Sequence, residues 1–202
     1  NAGEMTNKGI EWMIQATPIK TKDLSWNVSV NFAKNVNKLV QLKEGINNYQ
    51  MGVAPQNVTI NAFVGSSYGA IMGSNFVYDQ DGNKVVGTDG RYLESATPEI
   101  IGHMLPDYNM GISNTIEYKN ISLSALIDIQ KGGQYYSISN LFGMSSGMLE
   151  ETVYQNGVDI RQQGVTLDAV YGRLNNQGVV EYLNQEGDVS TVPVKNSTSI
   201  SA

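Results

Sequence analysis

The strongest constraint on this fold is a strict alternation of apolar and polar side chains with a period of two residues. From Leu24 to Phe32, every second residue is apolar, and the residues between them are small and uncharged. A β-strand places two such sets on opposite faces, whereas a helix scatters both sets around its circumference. Three further stretches alternate in the same way. The sequence therefore predicts four strands, at about residues 9–17, 24–34, 108–118 and 121–131.

The connections between these strands are alternately short and long. Pro18–Asp23 joins the first two strands and Lys119–Asn120 the last two, whereas residues 35–107 and 132–202 form long, Gly-rich and Asn-rich stretches. Strands of about 9–11 residues match tilted membrane-spanning strands, and barrels of the outer membrane have short turns at one end and long loops at the other. The sequence thus predicts an all-β fold: an antiparallel up-and-down meander, part of a large transmembrane β-barrel with long extracellular loops.

The apolar side of these strands has two possible neighbours, lipid or a second protein sheet. Residues on the polar side avoid formal charge over most of their length, which suits a barrel lumen better than an exposed sheet. Aromatic residues near the strand ends of the apolar face resemble the two interfacial girdles of a barrel: Trp26, Tyr118, Phe32 and Tyr108. The alternative is a secreted or surface β-sandwich that binds carbohydrate through tyrosines of the long tail.

Two residues break the alternation. Asn114 lies on the predicted apolar face and Leu126 on the predicted polar face. Most of the other polar positions are hydrogen-bonding residues without fixed charge, as expected for a lumen that passes neutral polar solutes: Ser25, Asn27, Ser29, Asn31, Ser113, Thr115, Ser122 and Ser124.

Composition excludes several classes of protein. A formal net charge of −6 argues against nucleic-acid binding. The absence of cysteine excludes disulfides, thiolate metal sites and a cysteine nucleophile. No apolar run approaches the ~18 residues that a spanning helix needs. Because the chain begins at Asn1 without an initiating Met or a signal peptide, we expect it to be a fragment of a longer protein.

No motif predicts catalysis or a cofactor. His103 is the single histidine, and its apolar surroundings favour loop packing over the role of a catalytic base. Residues 79–83 (Asp-Gln-Asp-Gly-Asn) place oxygen ligands as a calcium loop begins, but Gly90 stands where the closing Glu belongs, so a turn at Asp81-Gly82 is favoured. The stretch Gly65–Gly73 lacks the Lys-Ser/Thr of a phosphate loop. The sequence predicts no enzyme, no metal and no cofactor, and it assigns no ligand-binding residue.

Several motifs in order resemble one known family. Residues 1–11 read N-A-G-E-M-T-N-K-G-I-E, residues 25–27 read S-W-N, and residues 101–107 read I-G-H-M-L-P-D. With the spacing of the Gly and Tyr residues up to about residue 140, these stretches are similar to SusC/RagA-type TonB-linked outer-membrane proteins. Residues after about 150 match no part of that pattern.

The resemblance implies a barrel of about 22 strands in the outer membrane of a Bacteroidetes bacterium. Such a protein imports glycan oligomers or peptides with energy from the TonB complex and with a SusD-like lipoprotein as its lid. Residues 1–202 would then be one partial barrel region in contact with outer-membrane lipid. Its plug, its N-terminal domains and its TonB-contacting segment would lie outside this chain.

Overall fold

The computed structural model describes residues 3–155 and 157–200. It divides the chain into two compact units, the first made of residues up to 72 and 100–136, the second of residues 73–99 and from 137 onward. The strands, in chain order, are β1 (Gly3–Lys20), β2 (Leu24–Leu42), β3 (Asn48–Val53), β4 (Thr59–Phe63), β5 (Tyr68–Gly73), β6 (Val85–Val86), β7 (Glu99–His103), β8 (Pro106–Tyr118), β9 (Ile121–Gly132), β10 (Tyr154–Gln155), β11 (Val158–Asp159), β12 (Val165–Thr166), β13 (Val170–Leu174), β14 (Val180–Tyr182) and β15 (Ser199–Ile200). The helices are α1 (Ile138–Ser145) and α2 (Ile160–Gln163), with a 3₁₀ turn at Glu150–Thr152.

The first unit is built on a four-stranded sheet, here called the main sheet, in the order β1-β2-β8-β9. Every neighbouring pair in it is antiparallel. The predicted fold class, an all-β antiparallel meander of these four strands, is confirmed. Short turns follow β1 and β8, so both lie at one end of the sheet, and the connection from β2 to β8 leaves from the opposite end.

The first hairpin is longer than the alternation predicts. β1 begins at Gly3 instead of about residue 9, and β2 runs to Leu42 instead of about residue 34. Apolar alternation ends near Phe32, but the backbone ladder continues because β1 and β2 still supply each other with hydrogen-bond partners. A pattern of apolar side chains indicates which face of a strand avoids water. It underestimates the length of a strand whose end carries lysines.

The stretch 35–107, predicted as a long loop, contains a second sheet in the order β3-β4-β5-β7. Its tight turn 65–68 attaches to the end of β2: the Leu39 N–H donates to the Ser66 carbonyl at 2.9 Å, and Asn37 Oδ1 accepts from the Tyr68 N–H at 2.9 Å. Both Asn37 and Leu39 are buried. The pattern predicts short strand-like pieces in this stretch, one of them at residues 58–64, where β4 lies, but not that they form a sheet. These strands have only five or six residues each, too few to show a clear period of two.

The second unit has β13 at its centre, parallel to β6 and antiparallel to β14. Val85, Val86 and Tyr171 are fully buried in its small core. The Tyr171 hydroxyl accepts hydrogen bonds from the backbone N–H groups of Ser197 at 3.0 Å and Thr198 at 2.8 Å. Part of the tail predicted as a loop from residue 132 onward is therefore folded around one buried tyrosine.

No helix within residues 3–155 and 157–200 is long and apolar enough to cross a membrane.

Candidate functional site

The main sheet has one apolar face and one polar face. Residues directly opposite each other on neighbouring strands share a face, and on one face they form five consecutive rows that are apolar except for one residue. The rows are Trp12–Phe32–Met110–Ile129, Ile14–Val30–Ile112–Ile127, Ala16–Val28–Asn114–Ala125, Ile19–Trp26–Ile116–Leu123 and Leu24–Tyr118–Ile121. We call this surface the apolar face.

The described part of the chain leaves the apolar face open. Ile14 is 59% exposed, Leu123 is 68% exposed and Ile121 is 71% exposed. A contiguous apolar surface that spans four strands is far larger than the scattered exposed apolar residues of ordinary soluble proteins. A sandwich would cover such a face with a second sheet, and within the first unit the described residues place none on it.

Aromatic side chains bound the apolar face at both ends. Trp12 stacks on Phe32 with ring centroids 5.6 Å apart, and Phe32 contacts Tyr108 at 5.4 Å, which makes a row of three rings across β1, β2 and β8. Trp26 and Tyr118 lie near the short turns at the other end. From Leu24 to Phe32 the strand covers about 26 Å, close to the roughly 25 Å apolar band of an outer-membrane barrel.

Asn114, the polar residue of the apolar face, has a partner. Its Oδ1 accepts a hydrogen bond from Trp26 Nε1 at 3.3 Å, on the neighbouring strand. The pair satisfies the indole donor and one amide acceptor at once, which matters most where no water is available. The sequence marks Asn114 as an exception, and only the register of β2 against β8 reveals its partner.

The opposite face, called the polar face, carries hydroxyl and amide groups. All the predicted lumen residues lie on it, and Ser29 pairs directly with Ser113 and Asn27 with Thr115. The Thr17 hydroxyl donates to Asn27 Oδ1 at 2.8 Å. Near the short turns these groups line a shallow depression of about 390 Å³. Leu126, the predicted exception on this face, is 74% exposed.

His103 takes no part in a catalytic arrangement among the described residues. It lies exposed in β7, and its backbone N–H donates to Gln134 Oε1 at 3.0 Å. Within residues 3–155 and 157–200, no three His, Asp or Glu side chains gather as metal ligands.

Asp79 holds a turn through its carboxylate. Oδ1 accepts from the backbone N–H groups of Asp81 at 3.0 Å and Asn83 at 2.8 Å, and Oδ2 accepts from Asn83 Nδ2 at 3.0 Å and the Tyr182 hydroxyl at 3.2 Å. Burial of Asp79 by itself raises the pKa of its carboxyl, but the hydrogen bonds from Asn83, Asp81 and Tyr182 outweigh burial and lower this pKa. Four donors thus occupy the oxygens that a calcium loop would turn toward a cation.

Comparison with known proteins finds curated relatives that are named TonB-dependent receptors. No family model matches the sequence. The chain is 29% identical over 174 residues to "TonB-dependent receptor P3" of Formosa agariphila, an alignment that covers 75% of this chain. It is also 29% identical over 171 residues, 77% of this chain, to "TonB-dependent receptor SusC" of Bacteroides thetaiotaomicron. The predicted resemblance to SusC/RagA-type proteins is confirmed.

The chain spans 17% of the length of each of these two curated relatives. Both relatives are named as receptors and not as enzymes, in agreement with the prediction that the chain has no catalytic activity. Among solved structures it is similar to the RagAB peptide transporter, with a TM-score of 0.46 and 19% identity over 62% of this chain and 15% of that chain.

Sequence reasoning missed one group of residues on the apolar face. Lys8, Lys34 and Lys38 follow the same parity as the apolar residues of β1 and β2, and they continue the face beyond its aromatic row. The signal was present in the sequence as lysines at even positions just outside the apolar run.

Proposed function

We propose that this chain forms part of the barrel wall of a TonB-dependent outer-membrane transporter. The transporter imports glycan oligomers or peptides and works with a SusD-like lipoprotein. The observation that carries the proposal is the apolar face of the main sheet: four antiparallel strands with one exposed side that is apolar except for Asn114, and one polar side rich in hydroxyl and amide groups. The similarity to proteins named TonB-dependent receptors supports the same conclusion.

The two faces of the main sheet have different roles in the proposed barrel wall. The apolar face contacts acyl chains, and its aromatic ends lie at the two membrane interfaces. The polar face lines the lumen, where hydroxyl and amide groups such as Ser29, Ser113 and Thr115 exchange hydrogen bonds with a passing polar solute. Few fixed charges on that face mean that a neutral solute is not held in place by strong electrostatic attraction.

The partners follow from the same proposal. Energy comes from the TonB complex through segments outside this chain, and the lid lipoprotein captures substrate on the outer side. The short turns after β1 and β8 face the periplasm, and the long connections emerge on the outer side, as in other outer-membrane barrels. The β-sandwich alternative finds less support, because the described residues place no second sheet on the apolar face.

The test uses the full-length protein in its native bacterium. We expect it in the outer-membrane fraction, and we expect its deletion to abolish growth on one class of oligosaccharide or peptide. Depletion of TonB should abolish the same growth. A matched control deletes a TonB-independent porin, which should leave that growth unchanged. Recovery of the full-length protein in a water-soluble fraction would overturn the proposal.

A further inference from the structure

Three lysines extend the apolar face by one step beyond the aromatic row. In the ladder between β1 and β2, Ile10 pairs with Lys34, Lys8 with Val36 and Thr6 with Lys38. Lys8 therefore lies diagonally between Lys34 and Lys38, at about 7–8 Å from each along the sheet. All three lysines are exposed, and they border a shallow depression of about 410 Å³ together with Thr6, Ile10 and Val36. We call this group the lysine row.

Charge on the main sheet is divided unevenly between its faces. On the apolar side, the ladders carry four lysines, Lys8, Lys34, Lys38 and Lys131, and one carboxylate, Glu4, near the start of β1. Three other carboxylates of these strands, Glu11, Glu117 and Asp128, lie on the polar side. In a chain with a formal net charge of −6, an excess of lysines on one face is not a consequence of composition.

Among the described residues, the lysine row forms no ion pair, although Glu4 lies farther along the same face of β1. Two ion pairs occur within residues 3–155 and 157–200, Arg173 with Glu181 and Lys195 with Asp168, and neither involves the main sheet. A group of like charges repels itself unless an anion lies between its members. The three lysines are therefore able to hold an anion from outside the chain.

The position of the row indicates what that anion is. Lys34 follows Phe32 by two residues, about 6.6 Å farther along the strand. Aromatic girdles mark the boundary between hydrocarbon and headgroups, and lysine ammonium groups just beyond it reach the headgroup level. The row also lies at the end of the sheet where the long connections leave, which is the outer-leaflet side in the proposed function.

We propose that Lys8, Lys34 and Lys38 bind the phosphate groups of an anionic lipid in the outer leaflet. This inference rests on the proposed membrane barrel. Thr6 and Val36 line the same depression as the three lysines. Such a contact fixes the depth of this hairpin in the membrane and neutralises the charge of the lysine row.

The experiment uses the full-length receptor in nanodiscs of phosphatidylcholine with a minor fraction of lipid A, a phosphorylated glycolipid. Mass spectrometry counts the lipid A molecules retained per receptor. The test variant is K8Q/K34Q/K38Q, and the matched control is K20Q/K22Q/K119Q, which removes the same charge at the opposite end of the sheet. We expect the test variant to lose about tenfold in lipid A retention at low salt, and the control to stay near the wild type.

Two further measurements keep the outcomes distinct. K8R/K34R/K38R retains the positive charge and should bind lipid A as the wild type does, and resistance of the barrel to heat in detergent shows that each variant is folded. If folded K8Q/K34Q/K38Q retains as much lipid A as the control, the inference is wrong and the transporter proposal stands. If the wild-type receptor does not enter bilayers at all, both the proposed function and the inference fail.

Discussion

At the scale of single residues, the polar groups that lie in apolar surroundings show most clearly how neighbouring strands are held together. Asn114 stands in the middle row of the apolar face, flanked by Val28 and Ala125, and its amide oxygen binds the Trp26 indole N–H. In lipid, no water is available to bond an unpaired donor. The hydrogen bond between the two side chains therefore removes a free-energy cost that either polar group alone would impose.

A double-mutant cycle tests this pair in the full-length receptor. We expect Asn114→Leu to destabilise the barrel when Trp26 is present, because the indole donor loses its acceptor. In a protein that also carries Trp26→Phe, the same substitution should be neutral or stabilising. The coupling free energy should be about 0.6–1.7 kcal/mol, the range of hydrogen bonds between membrane-embedded side chains. Urea unfolding in lipid vesicles measures it, and strictly additive effects would contradict the pair.

Asp79 gives the second unit a dependence on pH. Its pKa is lower in the folded protein than the ordinary value of 3.8, so the folded state binds a proton less readily than the unfolded state. The resulting stabilisation is present above the ordinary carboxyl pKa and is lost as the pH falls through the lower, folded pKa. We expect protection of residues 76–95 from hydrogen exchange to fall below about pH 4.

Asp79→Asn should remove part of this pH dependence and lower the local opening free energy at pH 7 by about 1–3 kcal/mol, because its NH₂ group cannot accept hydrogen bonds. Hydrogen exchange by mass spectrometry on the full-length receptor measures both effects. Asp168→Asn is the matched control, since the Asp168 side chain is almost fully exposed and its contact with Lys195 contributes little. Equal pH profiles for wild type and Asp79→Asn would show that Asp79 does not hold the turn.

At the scale of elements, the parity of the strands decides how a substitution is tolerated. Val28 lies in the middle row of the apolar face, and Ile112 lies one row away. Their chain neighbours Ser29 and Ser113 lie on the polar face. In the proposed barrel, an arginine therefore meets acyl chains at one position and the lumen at the next, although the two positions are adjacent in sequence.

We expect Val28→Arg and Ile112→Arg to lower the free energy of unfolding in vesicles by about 2–4 kcal/mol. Ser29→Arg and Ser113→Arg, as matched controls on the same strands, should cost much less because their side chains reach water. Urea titration of the full-length receptor in phosphatidylcholine vesicles gives the four values. Equal costs at all four positions would contradict the assignment of the two faces.

At the scale of the whole molecule, the main sheet has two open edges. Within residues 3–155 and 157–200, β1 and β9 are its edge strands, and the apolar face is open. Open edges and an exposed apolar surface lead to association between chains. We expect residues 1–202, produced alone in plain buffer, to aggregate or to require detergent. Analytical ultracentrifugation checks this, and a monomer that melts cooperatively in buffer would favour the β-sandwich alternative.

Sequence alone allowed the main sheet to be predicted, but not the smaller sheets. The alternation around Leu24–Phe32 is a local property, so it identified the strand and both of its faces. β3, β4 and β5 are short, and the core of the second unit depends on Tyr171 meeting Ser197 and Thr198, 26 and 27 residues away. A periodic pattern within one segment does not predict such long-range contacts.

By itself, then, the sequence determined the four long strands, their antiparallel order and which residues share a face, because a two-residue period follows directly from backbone geometry. Only the tertiary structure decided the register of β2 against β8, and with it the Trp26–Asn114 pair across 88 residues. It also decided how far the first hairpin extends and where the lysine row lies relative to the aromatic row. The two-residue pattern excludes a slip by one residue, which would exchange the two faces, but a slip by two residues leaves both faces unchanged. The exact register therefore depends on contacts between distant segments.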